Sequence, residues 1–292
     1  MFITGSMFPW RLNRKAAALR ARQNPPPAPT FTYDRKALTA LITRHYALLI
    51  STGHIHPSAL REPPEPSGWS DADLNVPALR LLGRSETVID LLRHIPYPQS
   101  SDDDDSDDAV VCYCTMVQSY LRADWRPEET FREVPDWHAK PFCDLGLAPF
   151  DGAMAPHLIQ LTREEAEIGT SWVIDTERGC IYPHGGAYLS YGDEPPEAAE
   201  EKPWLRARAV SFAEYFDRLY EDVKTLKLVP VPAAGNFGHA ICEGRDPEAK
   251  AIKKLYREYG WPGAFRKEEF LVAAVELRRT ILDDTYDWSD AE

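Results

Sequence analysis

The feature of the sequence that most constrains the fold is a pair of short β-rich runs on either side of a four-residue loop. Ser171–Asp175 and Cys180–Pro183 consist mostly of Trp, Val, Ile, Cys and Tyr, and the loop between them, Thr176–Gly179, ends in glycine. β-Branched and aromatic residues favour strands, and a short loop that closes with glycine is typical of a β-hairpin. The sequence therefore predicts an antiparallel hairpin at 171–183.

Amphipathic helices are predicted before this hairpin. Asp34 is a candidate N-cap, and the apolar residues after it recur at helical spacing as far as Thr52-Gly53. Residues 76–98 carry the pattern of a second helix or a pair of helices, which the prolines at the end of the segment stop.

Further helices are predicted after the hairpin. Ser211 and Glu214 fit a capping box in front of an apolar stripe at helical spacing. Another helix is expected to begin near Asp246-Pro247, and a final one to cover 267–282.

Between the two helical parts, Ala109–Leu121 is rich in Val, Tyr, Cys and Thr and predicts one buried strand, which could lengthen into a helix at its end. Leu158–Leu161 predicts a shorter strand. The expected fold class is α+β, with a central, mainly antiparallel sheet and helices from the N- and C-terminal parts packed around it. We expect a mobile basic and Pro-rich arm at 1–30, a single domain at 31–282 and an acidic tail at 283–292. Within that domain the expected order is a helical part at 34–98, an acidic loop at 101–108, a sheet region at 109–190 and a second helical part at 211–282.

The formal net charge is −13, and it is distributed unevenly. The first 33 residues contain no acid and five basic residues, which are Arg11, Arg14, Lys15, Arg20 and Arg22. An acidic body repels phosphate backbones, so general nucleic-acid binding is not expected. The Asp-rich run Ser101–Asp108 lacks the spaced ligands and turn glycine of a calcium loop, and it predicts an exposed loop rather than an ion site.

Five cysteines, an odd number, in a chain of this length indicate reduced thiols and a cytoplasmic or nuclear setting. No secretory signal is recognised, and a mitochondrial presequence fits less well because the basic arm is poor in serine. No apolar run approaches the roughly 20 residues that span a bilayer.

The common catalytic and cofactor motifs are absent from the sequence, so no cofactor or metal is predicted and any catalytic residue stays unknown. Cys112 and Cys114 would share one face of a strand, where metal ligation is conceivable and core packing is favoured. His54 and His56 could share a metal, although an ordinary surface turn is favoured. The sequence therefore does not decide whether the protein is an enzyme, although it favours a protein that is not one.

Aromatic side chains cluster around the hairpin and the segment that follows it. Trp172, Tyr182, His184, Tyr188 and Tyr191 are the candidate binding residues, and His184-Gly185-Gly186 would allow close approach of a ligand to the backbone. In the leading interpretation they bind an unknown protein partner. In the alternative, Trp172, Tyr182, His184 and Tyr188 line the pocket of an enzyme or small-molecule-binding protein, where Cys180 and His184 could form a thiol–imidazole pair.

Two segments, Gly169–Gly186 and Arg206–Leu226, resemble the C-terminal part of the Smi1/Knr4-like (SUKH) superfamily. In that family an apolar strand ending in Asp leads through a Gly turn to a second strand, and a Ser-Phe-x-Glu-aromatic helix closes the domain. Trp172–Asp175, Gly179 and Ser211–Tyr215 occupy those places here. The family's usual early segment is not clear in this chain, and the long N-terminal part and the residues after the helix would be additions.

The resemblance implies a mixed α+β domain without intrinsic catalysis. Relatives of this kind act as regulatory binding modules in fungi or as immunity proteins that neutralise toxins in bacteria. The long Pro-rich and acidic insertions suit the fungal type. The resemblance therefore favours a non-catalytic protein–protein interaction or regulatory module.

Overall fold

The computed structural model describes residues 30–81, 83–99, 109–121, 155–164, 169–184, 207–232, 241–245 and 247–285. The chain divides into two compact units, 1–31 and 32–292, and the described helices and strands lie in the second. Six helices and eleven strands are found in these ranges, and their strand pairings are antiparallel, which confirms the α+β class. Residues 1–29 of the arm predicted at 1–30, the Asp-rich loop and residues 286–292 lie outside the described residues.

Helix α1 (Arg35–Thr52) begins and ends where its sequence predicts. The Asp34 carboxylate accepts a hydrogen bond from Ala37 N at 3.1 Å and so caps the first turn. Gly53 closes the helix at φ 82°, a left-handed conformation that glycine adopts without strain. The buried face carries Leu38, Ile42, His45, Tyr46, Leu48, Leu49 and Thr52.

Residues 76–98 form two helices, α2 (Val76–Leu81) and α3 (Glu86–His94). The Ser85 hydroxyl caps α3 by accepting a hydrogen bond from Val88 N at 3.2 Å. Two short strands that the sequence does not signal, β1 (Leu60–Arg61) and β2 (Tyr97–Pro98), pair next to the helices.

Seven short strands at the centre of the chain form two antiparallel sheets. A three-stranded sheet has the order β3-β4-β6 and a four-stranded sheet the order β5-β7-β8-β9. The strands are β3 (Val110–Cys112), β4 (Thr115–Val117), β5 (Leu158–Gln160), β6 (Thr162–Glu164), β7 (Ser171–Asp175), β8 (Cys180–His184) and β9 (Val210–Ser211).

Leu161 joins the two sheets, because it lies between β5 and β6 and bonds to both neighbouring strands. Its N–H donates to Trp172 O and its carbonyl accepts from Gln118 N, both at 2.9 Å. The Thr162 hydroxyl accepts from Trp172 N at 2.8 Å and donates to Thr170 O at 2.8 Å. A buried threonine therefore replaces backbone ladder bonds where the strand bends.

The prediction of one strand over Ala109–Leu121 was wrong. The chain reverses at Tyr113-Cys114, so that β3 and β4 pair with each other as Val110↔Met116 and Cys112↔Thr115. Cys114 lies in the turn at φ 45°, a conformation uncommon for residues other than glycine.

Helix α4 (Phe212–Lys224) follows β9 and packs across α1. Its apolar residues repeat at i, i+3, i+4, i+7 and i+11 and enter the main core, and they are Phe212, Tyr215, Phe216, Leu219 and Val223. At the edge of this packing, Arg44 pairs with Asp217 and lies 4.7 Å from the centre of the Tyr220 ring.

The predicted helical part at 211–282 also contains a pair of strands that the sequence analysis did not predict, β10 (Leu228–Pro230) and β11 (Ile241–Glu243). Helices α5 (Pro247–Glu258) and α6 (Lys267–Thr285) follow and enclose a second, smaller apolar cluster with these strands. At its centre the rings of Tyr256 and Phe270 stack with centroids 4.1 Å apart. We call residues 228–285 the C-terminal segment.

Among the described residues, no helix has the length and apolar character needed to cross a membrane.

Candidate functional site

The predicted hairpin is confirmed, and its register decides which candidate residues lie together. Trp172 pairs with Pro183, and Val173 pairs with Tyr182. Paired residues in an antiparallel ladder face the same side, and successive residues face opposite sides. Trp172 and Tyr182 therefore lie on opposite faces of the sheet, and they cannot line one pocket as predicted.

Trp172 is a core residue, with none of its surface exposed. Its ring makes edge-to-face contacts with Tyr215 and Phe216 of α4, at centroid distances of 5.9 and 5.1 Å, and with His45 of α1 at 5.9 Å. The prediction that Trp172 contributes to a binding face is corrected, because helices α1 and α4 already cover its side of the sheet. Its role in the described structure is to pack the sheet against two helices.

Tyr182 lies on the other face and is also buried. Its hydroxyl accepts a hydrogen bond from Arg178 Nη1 at 2.5 Å. Burial, together with the neighbouring Cys180, raises the pKa of Tyr182 above its ordinary value, so the phenol is neutral at physiological pH. His184 ends β8 opposite Ser171, and nothing is described of its side chain.

Tyr188 and Tyr191 lie outside the described residues, so their predicted place beside the hairpin is not tested.

The hairpin turn is fixed by hydrogen bonds of its own and by a close approach of the chain. The Asp175 carboxylate accepts from Glu177 N at 3.0 Å and from Arg178 N at 2.8 Å. Gly179 has φ 71°, and a Cβ placed there would lie 2.3 Å from backbone atoms of Thr32 and Tyr33. The segment leading into α1 therefore lies directly against the turn, which only glycine permits.

The cysteines of the described residues are all buried, and none of them forms a disulfide. Burial raises the pKa of the Cys112 thiol to about 12 and that of Cys180 to about 11. A thiol is nucleophilic only as the thiolate, so neither group is activated at neutral pH. The shared face predicted for Cys112 and Cys114 is wrong, since Cys114 lies in the turn between β3 and β4. No three metal-ligating side chains come together within the described part of the chain.

His54 lies in the turn after α1 as predicted, but it is half-buried and its ring contacts two backbone carbonyls. Its Nε2 lies 2.9 Å from Val110 O of β3 and its Nδ1 lies 3.1 Å from Val231 O, just after β10. Burial lowers the pKa of His54, and the two carbonyls oppose that shift. The neutral ring has one N–H and donates to one of these carbonyls, and it lies between the sheet and the C-terminal segment. His56 is exposed, and its Nδ1 caps the short 3-10 turn Pro57–Ala59.

His45 of α1 bonds to strand β3 at Val111, the residue after the Val110 that His54 contacts. Its Nε2 donates to Val111 O at 2.7 Å, while its buried Nδ1 has no hydrogen-bond partner among the described residues. Burial lowers the pKa of His45 to about 4, so the ring is neutral at physiological pH. Two histidines thus bond to neighbouring carbonyls of the edge strand β3.

Sequence reasoning missed a row of basic side chains on α5. Lys250, Lys253, Lys254 and Arg257 recur at i, i+3, i+4 and i+7, and we call them the basic stripe. The spacing is visible in the sequence, and the helix was predicted. The stripe is exposed except at Lys253, which is half-buried and whose ammonium group donates to Leu226 O at 2.7 Å.

Comparisons with models of protein families, with curated proteins and with solved structures found no match to this chain.

Proposed function

We propose that this chain is a non-catalytic protein–protein interaction or regulatory module of the Smi1/Knr4-like kind. One observation carries the proposal: the histidines and thiols that contact the sheet are used to hold the fold. His45 and His54 bond to backbone carbonyls, and the Cys112 and Cys180 thiols are kept protonated by burial. Catalysis needs such groups to be accessible and to titrate near the working pH.

The resemblance of residues 169–226 to Smi1/Knr4-like proteins supports the same proposal. That resemblance implies a strand ending in Asp, a glycine turn, a second strand and then a Ser-capped helix. In this chain β7 ends at Asp175, the turn ends at Gly179, and Ser211 caps α4. The side of the hairpin that carries Trp172 is taken up by the core, so we place the interaction elsewhere on the surface.

The test is an affinity purification from lysate of the source organism, with the folded full-length chain as bait. A protein recovered in a fixed ratio to the bait, and displaced by excess untagged chain, supports an interaction module. The matched control is the Trp172→Ala variant, in which loss of core packing is expected to disturb the fold. Absence of any stoichiometric protein, with a metabolite bound to the purified chain, would contradict the proposal and favour a ligand-binding protein or enzyme.

A further inference from the structure

The basic stripe differs from the charge of the chain as a whole. The chain has 46 acidic and 33 basic side chains, yet four bases share one face of α5. The opposite face of the helix is apolar and packs in the C-terminal segment through Ala249, Ile252 and Tyr256. The stripe is therefore the outer face of a helix whose orientation is fixed by its core contacts.

Two further bases lie close in the chain to the contact of Lys253 with the end of the β10–β11 pair. Lys253 Nζ lies 3.4 Å from the position of a Cβ on Gly244, and Gly244 N donates to Lys227 O at 2.7 Å. Lys227 and Arg245 thus lie near Lys253, with 69% and 89% of their side chains exposed. Their ion pairs, with Asp222 at 2.7 Å and Glu243 at 3.5 Å, do not involve the four residues of the stripe.

Like charges are crowded along the stripe. Lys250 and Lys254, and likewise Lys253 and Arg257, are i, i+4 pairs of the same sign, which destabilise a helix. Lys254 has an exposed pair with Glu258 at 3.7 Å, whereas Lys250 and Arg257 form no ion pair with any described side chain. Burial and the nearby Arg257 together lower the pKa of Lys253. A bound anion would relieve this repulsion.

We propose that the basic stripe of α5 is the docking surface for an acidic segment of a partner protein. This inference rests on the proposed interaction function and adds the place and the chemistry of the contact. The stripe spans about 10 Å along the helix, with successive turns about 5.4 Å apart. In an extended segment, side chains on one side recur at about 6.6 Å, so acidic residues at alternate positions fit the stripe.

A protein segment fits this surface better than a nucleic acid does. A duplex contacts its protein over many phosphates, and the net charge of −13 would repel those beyond the stripe. A short acidic segment needs only the local positive field, since charges are screened over about 8 Å at physiological ionic strength.

The probe is a fluorescein-labelled peptide of alternating Glu and Ser, with a Gln-Ser peptide as its uncharged match. Binding to the full-length chain is measured by fluorescence anisotropy. The variant Lys250→Gln/Lys254→Gln/Arg257→Gln removes three charges from the stripe. Its control removes three exposed charges elsewhere, as Lys36→Gln/Arg61→Gln/Arg80→Gln on α1, β1 and α2. Unfolding midpoints verify that both variants are folded.

We expect the stripe variant to bind the Glu peptide about tenfold more weakly than the control variant does. The affinity should also fall as salt rises from about 50 to about 200 mM.

Equal affinities of the two variants, no preference for Glu over Gln, or tighter stripe-dependent binding of a short DNA duplex would overturn the inference. A partner recovered equally well by both variants would overturn the inference and leave the interaction function standing. Stripe-dependent peptide binding without any partner in the affinity purification would instead count against the function.

Discussion

Two glycines with the same backbone conformation show how closely the hairpin turn is packed. Gly179 and Gly83 have φ 71° and 72°, but only Gly179 faces other atoms within 4 Å. Gly179→Ala is expected to lower the free energy of unfolding by about 3 kcal/mol or more, because strain and a backbone clash add together. Gly83→Ala should cost about 1 kcal/mol, from the left-handed conformation alone. Urea unfolding measures the free energy of unfolding of both variants. Equal losses would mean that the backbone at Thr32 does not contact the turn.

His45 makes stability depend on pH in a defined window. Its folded pKa of about 4 lies below the ordinary value of 6.5, so the unfolded chain takes up the proton more readily. The neutral His45 therefore makes its full contribution to the free energy of unfolding above pH 6.5. That free energy falls by up to about 3 kcal/mol as the pH is lowered from 6.5 towards 4.

The matched variant is His45→Gln, which keeps a donor for Val111 O and does not titrate. Urea titration at each pH measures the free energy of unfolding of both proteins. Between pH 6.5 and 4 this free energy should fall further in the wild type than in the variant. Curves that stay parallel would show that His45 is already protonated or is open to water.

At the scale of one element, helix α4 depends on a single capping hydroxyl. Ser211 Oγ accepts from Glu214 N at 3.1 Å. Ser211→Ala should destabilise the protein by about 1 kcal/mol, whereas Ser211→Asp keeps an acceptor at the cap and should cost little. Thermal unfolding followed by circular dichroism separates the two variants. An Ala variant as stable as the Asp variant would show that the cap is dispensable.

Elements whose signals are local could be predicted from the sequence. The caps at Asp34 and Ser211 and the helical repeats beside them lie within a few residues, and the hairpin at 171–183 closes on itself. The turn at Tyr113-Cys114 was missed because it contains no Gly, Pro or Asn. Strands β10 and β11 were missed because each has only three residues and pairs with a segment about ten residues away.

The candidate site could be predicted only in part. A four-residue loop between Asp175 and Cys180 already fixes the register, so the opposite orientations of Trp172 and Tyr182 could have been derived from the sequence. The burial of Trp172 could not, because the rings that cover it belong to α1 and α4, which are distant in sequence. Likewise, no residue next to His54 in the sequence indicates that its ring contacts the carbonyls of Val110 and Val231.

At the scale of the whole molecule, the C-terminal segment is tied to the end of α1 by polar bonds. The Tyr256 hydroxyl lies 2.9 Å from Pro230 O and 3.4 Å from Thr52 O, and its one proton serves the nearer carbonyl. Lys267 Nζ donates to Ile50 O at 2.7 Å, where a cation also complements the helix dipole.

Removal of the hydroxyl in Tyr256→Phe should lower the free energy of unfolding by about 1–2 kcal/mol, because a buried carbonyl loses its donor. The control is Tyr259→Phe, a half-buried ring on the same segment, which should change stability by less than about 0.5 kcal/mol. Hydrogen exchange should report faster opening of β10 and β11 in the first variant alone. Equal exchange in the two variants would show that this bond does not hold the C-terminal segment.

We propose that this chain acts by binding another protein. The most direct measurement is native mass spectrometry of the full-length chain, tagged and purified gently from its own cells. We predict an assembly that contains at least one other polypeptide in a fixed ratio, and that loses it as salt is raised. A bare chain, or one that carries only a small molecule, would contradict the account.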